Sequence, residues 1–374
     1  MGHNFPSLIH QLELINFRNH VNLKINSESK FVLILGENGS GKTNVLEAVS
    51  LLSGTKGFRN AKNSEIIFDF NKLNAEWGIK ADYLNCELEF TLLIGCKFKN
   101  IDSNGNKIIK INNELLVKQT DISDILKIVW LTPQMENLFL ESPSIRRKFL
   151  DRMTYNFFSN HISYIQKYEY FTQSRAKVLN DINWDQKWVE QIEMNIAELS
   201  LKIINNRIEC LKIINTGLES LSIHYLKPKL STSGEIEDQL KINKSTTVFE
   251  YIIKRLAKNR LIDAKSKRCS IGAHKSDINV LDRDKNRDAN LCSTGEQKSM
   301  IISLILGQSY ALYNLQKIAP ILVLDEIFAH LDEKRKVGLI DELEKTPSQI
   351  WITSTDKDLD KLFKQNSYAK FTLN

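Results

Sequence analysis

The order of hydrophobic and polar residues divides the chain into strand-rich ends and a helical middle. Apolar residues alternate with polar ones over residues 12–17 and 21–25, which predicts two short strands around a polar turn. From Ser144 to about Ser222, apolar residues recur every three or four positions, with no proline and one glycine. This spacing predicts two or three amphipathic helices that form a separate arm.

Alternation of helix and strand patterns returns towards the C-terminus. A polar connection rich in Ser and Thr, residues 231–247, is expected to lead into a helix at residues 248–261. Beyond it, the pattern predicts a helix at 296–315, a strand at 321–325, a helix at 333–344 and a strand at 349–353. The chain is therefore predicted to have an α/β fold.

A glycine-rich turn lies between a short apolar run, residues 31–35, and a helix-like pattern that begins near Val45. This order of strand, turn and helix matches the phosphate-binding loop G-x-x-x-x-G-K-T. The turn, called the phosphate loop below, consists of Gly36, Glu37, Asn38, Gly39, Ser40, Gly41, Lys42 and Thr43. Glycines permit backbone angles that point N–H groups inward, and the helix N-terminus adds positive charge, so the loop can wrap a polyphosphate. A chance glycine turn is the alternative, which the flanking strand and helix disfavour.

Residues from the two ends of the chain are predicted to act together at one site. Lys42 is expected to reach the β- and γ-phosphates of ATP, and the Thr43 hydroxyl to ligate Mg²⁺. The apolar strand at 321–325 ends in Asp325 and Glu326, which are expected to hold Mg²⁺ and to deprotonate the attacking water, respectively. By itself, a strand that ends in Asp-Glu more often caps the following helix. Together with the phosphate loop, it predicts a nucleotide-hydrolysing site.

Composition limits the class of protein. With 374 residues, 42% of them hydrophobic and 26% charged, the chain has the make-up of a soluble protein of one large or two ordinary domains. It has no apolar run of about 20 residues and no signal-peptide core, so a cytoplasmic location is expected. The five cysteines are scattered and never spaced as C-x-x-C, which favours neither a disulfide framework nor a zinc site. The net charge of +6 permits a nucleic-acid partner without requiring one.

A second loop, Ser293, Thr294 and Gly295, precedes the predicted helix at 296–315 and is called the signature loop below. Ser293 and Glu296 have the spacing of a capping box, so an ordinary helix start is one interpretation. However, the order S-x-G-E-Q upstream of a strand ending in Asp-Glu resembles the signature motif of ABC-type ATPases. In that superfamily, this loop contacts the γ-phosphate held by the opposite subunit. Residues 328–332 resemble the D-loop of the same superfamily, with Asp332 as its acidic member.

Longer stretches narrow the resemblance to the RecF family, the short relatives of the SMC and Rad50 DNA-repair ATPases. The similar stretches are LINFRNH (14–20), TPQMENLFLESPSIRRKFLD (132–151), IGAHKSDI (271–278) and WITSTD (351–356). They occur in the family's order over nearly the whole length. The resemblance implies an ABC-type P-loop ATPase head assembled from N- and C-terminal parts, with an inserted, mostly helical arm domain. The expected boundaries are 1–143 and 263–374 for the head and 144–262 for the arm.

The resemblance also suggests site residues outside the phosphate loop. Gln134 resembles the glutamine that senses Mg²⁺ and the γ-phosphate, and Asn16 and Arg18 are implied near the adenine or are simply turn residues. The family commonly has Asp-Asp where this chain has Asp325-Glu326, and an acidic residue is frequent at the position of His330. Residues 353–355 lack the switch histidine of transporters, which predicts slow turnover.

A basic stretch, residues 254–275, contains the densest cluster of Lys, Arg and His in the sequence. It has two interpretations: a solvated helix face, or a surface for DNA phosphates whose binding is independent of sequence and sensitive to salt. No base-reading motif is visible, which favours recognition of a DNA structure such as a gap or junction. Arg146, Arg147 and Lys148 are alternatively expected to pair with carboxylates of the core.

The resemblance to the RecF family implies an ATP-dependent DNA-repair protein. Two ATP molecules, each held by one phosphate loop and closed by the signature loop of the other copy, would join a homodimer that clamps DNA. Weak, DNA-stimulated hydrolysis by Glu326 would release it. Implied partners are single-stranded or gapped DNA and its junction with duplex, RecR and RecO, and indirectly RecA, in repair, replication and the SOS response. No membrane partner is expected.

Other classes of protein remain as alternatives. A different SMC-like ABC ATPase could serve as a nucleotide-gated scaffold without loading RecA, or as a scaffold that does not hydrolyse its nucleotide. The intact Lys42, Thr43, Asp325 and Glu326 argue against the second. An ABC transport subunit would be expected to carry the switch histidine.

Overall fold

The computed structural model describes residues 6–68, 75–86, 88–98, 105–116, 120–181, 183–222, 226–329 and 331–373. The chain divides into two compact units. The first contains residues 1–136, 217–225 and 301–374, and the second contains residues 137–216 and 226–300. Both units are therefore built from separate parts of the chain.

The described elements are numbered along the chain. The strands are β1 (Ser7–Phe17), β2 (His20–Asn26), β3 (Phe31–Gly36), β4 (Glu76–Asn85), β5 (Leu88–Lys97), β6 (Asn106–Ile111), β7 (Glu114–Leu115), β8 (Ile128–Leu131), β9 (Pro228–Ser233), β10 (Asp277–Asp282), β11 (Arg287–Asp288), β12 (Ile321–Asp325), β13 (Ile350–Ser354) and β14 (Tyr368–Leu373). The helices are α1 (Lys42–Leu51), α2 (Asn63–Ile66), α3 (Thr120–Ser123), α4 (Pro143–Phe157), α5 (His161–Val178), α6 (Gln186–Leu218), α7 (Glu235–Ile242), α8 (Ser245–Lys258), α9 (Arg260–Ser266), α10 (Thr294–Gln316) and α11 (Glu333–Lys345). Short 3₁₀ segments are Pro133–Leu140, Ala273–Lys275, Ala289–Leu291 and Leu359–Leu362.

A parallel sheet carries the phosphate loop. Its strand order is β14-β3-β13-β12-β8, and every pairing in it is parallel. Strands β3, β8, β12 and β13 are buried along their whole length, which accounts for their unbroken apolar sequences. β3 and β8 come from the N-terminal part and the other three strands from the C-terminal part, with the helices α4 to α9 inserted between. The fold class predicted from the sequence is thus confirmed.

An antiparallel sheet completes the first unit, in the order β2-β1-β4-β5-β6-β7. Buried and less buried residues alternate along β4, because one face of the sheet lies on the core and the other faces outward. The core is shared with the parallel sheet and α1, since Trp77, Val45 and Trp351 belong to one hydrophobic cluster. The strands predicted at 12–17 and 21–25 lie in this sheet.

The second unit is mainly helical. Helices α5, α6 and α8 contribute to one hydrophobic cluster, to which Tyr168, Ile196 and Ile252 belong. A three-stranded sheet in the order β11-β10-β9 belongs to the same unit. The three helices α4, α5 and α6 confirm the amphipathic pattern predicted from residue 144 onwards.

The expectation of a plain polar connection over residues 231–247 is wrong. β9 extends to Ser233 and pairs with β10, and α7 follows at Glu235. Ile236 is buried in the core of the unit, so two apolar anchors, Ile236 and Leu240, make a helix from a mostly polar sequence. The helix expected at 248–261 is divided into α8 and α9 at Asn259.

The two compact units are cut at other places than the predicted domains. Residues 144–216 and 226–262 of the predicted arm belong to the second unit, and the predicted C-terminal part of the head is divided at residue 300. The predicted domain boundaries after residues 143 and 262 stay a prediction. None of the helices in the described ranges combines the length and apolar character required of a membrane span.

Candidate nucleotide-binding site

The phosphate loop joins β3 to α1 with a backbone that only glycine adopts readily. Gly39 and Gly41 have φ angles of 87° and 95°. A Cβ on Gly41 would lie 2.4 Å from Asn19 Nδ2, and a Cβ on Gly36 would lie 2.4 Å from the Leu373 carbonyl oxygen of β14. The N-terminus of α1 has no side-chain cap, so its first N–H groups remain available to an anion.

Lys42 lies over the loop that it belongs to. Its ammonium group donates hydrogen bonds to the carbonyl oxygens of Gly36, at 2.8 Å, and Glu37, at 2.9 Å. The same nitrogen lies 3.8 Å from Glu326 Oε1. The side chain is 5% exposed, so its charge acts in a poorly solvated place where phosphate oxygens would be attractive partners.

Thr43 and Asp325 supply adjacent oxygen atoms from the two ends of the chain. Thr43 Oγ1 donates to Asp325 Oδ1 at 3.0 Å, and Asp325 is buried at the end of β12. A hydroxyl and a carboxylate oxygen are donors that Mg²⁺ prefers, and Mg²⁺ usually completes its shell with water and phosphate oxygens. No cluster of three or more His, Cys, Asp or Glu side chains suited to a metal occurs in the described ranges. Ser40 Oγ is buried inside the loop without a partner among the described residues.

Thr353 contacts the Asp325 carboxylate and the Glu326 backbone at the end of β12. It lies on β13 directly beside Asp325, and its hydroxyl donates to Asp325 Oδ1 at 2.7 Å. The hydroxyl oxygen itself accepts a hydrogen bond from Glu326 N at 3.1 Å. Glu326 has a left-handed backbone with φ 51°, which is uncommon for a residue with a side chain. Its carboxylate lies beside Lys42 and accepts a long hydrogen bond of 3.4 Å from Thr355 N.

The turn between β1 and β2 and the first residue of β2 contact the phosphate loop. Asn19 Nδ2 donates to the Ser40 carbonyl at 3.3 Å, and Asn44 Nδ2 donates to Asn19 Oδ1 at 2.7 Å. His20 Nε2 lies 3.3 Å from the Gly41 carbonyl oxygen. Burial lowers the pKa of His20, and the hydrogen bond to Gly41 offsets only part of this effect. The sequence pattern identified a turn here but not its contact with the loop.

Arg18 is held by the helix that follows the loop. Its guanidinium group makes two hydrogen bonds to the buried carboxylate of Glu47 on α1, at 2.9 Å and 2.6 Å. Arg59 donates to the same carboxylate at 2.9 Å. The implied contact of Asn16 and Arg18 with adenine stays a prediction.

Gln134 lies at the same edge of the parallel sheet as Asp325. It follows β8, whose last residue, Leu131, pairs with Leu324. The residue is exposed. Its predicted role in sensing Mg²⁺ and the γ-phosphate stays a prediction.

The signature loop belongs to the second unit and opens α10. Ser293 Oγ donates to Glu296 Oε2 at 2.9 Å, Ser293 N donates to the same oxygen at 2.8 Å, and Glu296 N points back to Ser293 Oγ at 3.4 Å. Lys285 makes a further ion pair with Glu296. The hydrogen bonds from Lys285 and Ser293 lower the pKa of Glu296 to about 2. The capping box expected from the sequence is present, and Ser293 and Thr294 are exposed.

Asp332 of the predicted D-loop caps α11. Its side chain accepts a hydrogen bond from Arg335 N at 2.8 Å. Its side chain is 62% exposed, so a contact with a second molecule is compatible with this cap. His330 lies outside the described residues.

Two stretches that carry the family resemblance form a polar network within the second unit. Arg146 pairs with both oxygens of Asp277, and Arg207 makes hydrogen bonds of 2.7 Å and 3.0 Å to Asp151. His274 interacts with the Tyr168 hydroxyl at 2.5 Å and with the Cys269 carbonyl. These side chains therefore join α4, α5, α6 and the segment before β10, as the alternative interpretation of Arg146 expected.

The basic stretch separates into paired and exposed cations. Arg255 pairs with Glu235 at 3.0 Å, and Arg260 pairs with Glu193 at 2.6 Å. The remaining cations of the stretch are exposed and lack an ion pair with a described residue, apart from the half-buried His274. They are Lys254, Lys258, Lys265, Lys267, Arg268 and Lys275.

Comparison with known proteins agrees with this architecture. The family model described as RecF/RecN/SMC N terminal domain matches residues 8–371. The DNA replication and repair protein RecF of Rickettsia felis is 39% identical over 93% of this chain and 93% of its own length, and that of Rickettsia akari is 37% identical over 93% and 94%.

Solved structures give the same result. A structure of the recombination mediator protein RecF-ATPrS in the RecFOR pathway has a TM-score of 0.85 and 25% identity, and covers 99% of this chain and 98% of that chain. A structure of RecF-ATP in the same pathway has a TM-score of 0.81 and 25% identity, and covers 94% and 93%. The chain therefore belongs to the RecF family of DNA replication and repair proteins, with the fold of an SMC-like ABC-type ATPase head.

Proposed function

We propose that this chain is an ATP-driven switch that binds DNA and hydrolyses ATP slowly. The observation that carries the proposal is the meeting of both ends of the chain at one site. Thr43 contacts Asp325 at 3.0 Å, and Lys42 lies 3.8 Å from Glu326. A phosphate loop, a Mg²⁺-type oxygen pair and a partly exposed carboxylate are the parts that phosphoryl transfer to water requires.

Each residue has a separate task in this proposal. The phosphate loop binds the triphosphate of ATP through its N–H groups, and Lys42 neutralises the β- and γ-phosphates. Thr43 and Asp325 hold Mg²⁺, with Gln134 as a further ligand through a side chain or water. Bound Mg²⁺ supplies charge neutralisation of the phosphate oxygens. Glu326 accepts the proton of the water that attacks the γ-phosphorus, and the bond to the β-phosphate oxygen breaks.

The signature loop completes the site from a second copy of the chain. Support comes from Ser293 and Thr294, which are exposed at the start of a 23-residue helix. A γ-phosphate that touches two copies favours the closed dimer through its differential affinity for that state, and hydrolysis removes the contact. Asp332 is proposed to face the same interface.

DNA is proposed to bind through the exposed cations of the basic stretch. The lysines at 254, 258, 265, 267 and 275 together with Arg268 suit contacts with phosphates rather than with bases. Single-stranded or gapped DNA and its junction with duplex are the proposed ligands. The relatives in the RecFOR pathway support RecR and RecO as protein partners and loading of RecA in repair, replication and the SOS response.

The test of the switch is a single amide substitution. Glu326→Gln keeps the size and hydrogen bonding of the side chain but removes the base, so phosphate release is expected to fall by about 10²- to 10⁴-fold. ATP-dependent dimers, measured by light scattering after size exclusion, are expected to live longer. The matched control is Glu114→Gln, an exposed glutamate on β7, which should leave both measurements unchanged. A Glu326→Gln variant that hydrolyses ATP at the original rate would refute the assignment.

The scaffold without hydrolysis is the second candidate. It would bind ATP and dimerise, but phosphate release would be absent with or without DNA. The same assay therefore separates the two functions.

A further inference from the structure

The outward face of the antiparallel sheet contains a notch made by two neighbouring glycines. Ile15 on β1 pairs with Gly78 on β4, Gly78 pairs with Gly95 on β5, and Gly95 pairs with Ile108 on β6. Because adjacent strands lie about 4.8 Å apart, the two isoleucines stand roughly 14 Å apart with bare backbone between them. Ile15 is 45% and Ile108 is 41% exposed, so both present apolar side chains to solvent.

The fold itself does not require a glycine at position 78. Its φ is not in the left-handed region, and a Cβ built there would meet no described atom within 4 Å. Glycine in a strand interior weakens the strand and often marks the close approach of a ligand or another backbone. Gly95 differs, because its Cβ would lie 2.9 Å from the Trp77 carbonyl oxygen. The open space above Gly78 is therefore available for a group from outside.

The notch has apolar walls and a cationic rim. Its cavity of about 290 Å³ is lined by Ile15, Ile108, Leu93 and the two glycines, with four charged side chains at the edge. Lys80 and Lys110 flank Leu93 in the next row of the sheet, and neither makes an ion pair with a described residue. Lys97 is 3.7 Å from Glu76. The lining contains three lysines and one glutamate, a net charge of +2. Glu13 on β1 pairs with Lys80 in the same row of the sheet, and with it the net charge of the edge is +1.

We propose that this notch binds an acidic peptide segment of a partner protein, with one aromatic side chain of that segment lying on the two glycines. An aromatic ring is flat and broad enough to cover bare backbone between two strands, as in the pairing of aromatic residues with strand glycines. Ile15 and Ile108 contact the edges of the ring, and Lys80 and Lys110 attract the flanking carboxylates.

Other occupants fit less well. Stacking of nucleic-acid bases needs exposed aromatic side chains, and the lining contains only Trp77, whose side chain is buried in the core. A second copy of the chain in a two-fold contact would bring two cationic rims together, which is repulsive. None of the phosphate-loop, Asp325 or Glu326 atoms takes part, so the inference is independent of the proposed function.

The test uses the full chain labelled at isoleucine δ1 methyl groups. The first probe is a synthetic peptide with one tryptophan between aspartates and glutamates, and the second has lysines in place of the acids. The acidic peptide is expected to shift the methyl signals of Ile15 and Ile108, and the lysine peptide to leave them unchanged. An oligothymidylate is the third probe. Shifts of the same two signals by the oligonucleotide but not by the acidic peptide would overturn the proposal.

Two variants assign the binding to the notch. Gly78→Leu fills the space and is expected to lower the affinity for the acidic peptide at least about tenfold, as loss of a central anchor pocket does. The double variant Lys80→Glu and Lys110→Glu keeps the glycines. It is expected to lower the affinity for the acidic peptide by about tenfold through the change of charge alone. ATP hydrolysis of both variants reports whether the first unit remains folded. Unchanged peptide affinity in the double variant, or no shift of Ile15 and Ile108 in the original chain, would refute the proposed site.

Discussion

Thr353 shows how one hydroxyl holds the Asp325 carboxylate and the Glu326 backbone together. Its oxygen contacts both Asp325 Oδ1 and Glu326 N, and it is completely buried. Thr43 approaches the same oxygen of Asp325 from the phosphate loop. The left-handed backbone of Glu326 is thus held in place by a neighbouring strand, which is the usual condition for such a conformation to persist.

Replacement of Thr353 by valine is expected to weaken both the fold and the activity. Valine has the same shape but leaves the Glu326 amide without its partner, which typically costs about 1–3 kcal/mol when the group is buried. Phosphate release should also fall, because the Glu326 carboxylate is no longer held beside Lys42. Thermal unfolding and a phosphate-release assay measure the two effects.

Thr353→Ser is the matched control, because it keeps the hydroxyl. It should retain most of the hydrolysis rate. If valine and serine at this position hydrolyse ATP equally well, the link through the hydroxyl has no functional role.

Strand β14 restricts the first residue of the phosphate loop. Leu373 of β14 pairs with Gly36, the last residue of β3, and the Leu373 carbonyl oxygen occupies the space of a side chain at position 36. The final strand of the described chain is thereby coupled to the start of the phosphate loop.

Gly36→Ala is expected to destabilise the protein by about 1–3 kcal/mol, because the extra methyl group forces backbone apart in a well-packed place. Gly338→Ala is the comparison, and its expected change in stability has the opposite sign. Gly338 lies inside α11, and its Cβ would meet nothing within 4 Å, so alanine should stabilise by about 0.5–1 kcal/mol. Denaturant unfolding measures both. A Gly36→Ala variant as stable as the original chain would contradict the described contact with β14.

Elements that depend on neighbouring residues could be predicted from the sequence, whereas those that depend on distant partners could not. β3, the phosphate loop and α1 follow from a local apolar run, glycines and helical spacing. The sequence predicts a polar connection in place of β9 and α7, because Ser and Thr dominate that region. Only the pairing with β10 and the burial of Ile236 reveal the two elements.

The same distinction applies to the site. Lys42, Thr43, Asp325 and Glu326 belong to recognisable motifs, and the structure brings them together. Asn19, His20 and Thr353 carry no motif, because their roles arise from a turn packed behind the loop and from the order of strands in the sheet. No local sequence pattern specifies which strand becomes the neighbour of β12.

At the scale of the whole molecule, the exposed cations of the basic stretch suit the proposed DNA surface, whose affinity would depend on salt. Arg255 and Arg260 of the basic stretch make ion pairs within the second unit, while Arg268 and the lysines are exposed. Exposed lysines contribute to DNA binding through release of counterions rather than through base recognition. The stretch therefore has a structural part and an exposed part, and the exposed part is the proposed DNA surface.

Removal of two exposed cations, by Lys265→Gln and Lys267→Gln together, is expected to reduce the dependence of DNA affinity on salt. The slope of log affinity against log salt should become shallower by about 0.7–0.9 for each DNA phosphate that the variant no longer neutralises. Fluorescence anisotropy with gapped DNA at several salt concentrations gives the slope.

Lys187→Gln with Lys229→Gln is the control, since both residues are exposed lysines of the same unit outside the basic stretch. An equal change of slope in both double variants would mean that the basic stretch is not the DNA surface.

In the proposed function, a complete site needs the phosphate loop of one copy and the signature loop of another. Two defective variants test it: Lys42→Ala damages the first half, and Ser293→Asp damages the second. Aspartate is as good a helix cap as serine and repels a γ-phosphate. It also loses the hydrogen bond that Ser293 donates to Glu296 and repels that carboxylate, so thermal unfolding of the variant is the control for the start of α10.

The decisive measurement is ATP hydrolysis by an equal mixture of these two variants, compared with each variant alone. Half of the dimers in the mixture combine one copy of each, and each of these has one site with both halves intact, so about one quarter of the original rate should return. A mixture no more active than the two separate variants would contradict a site shared between copies.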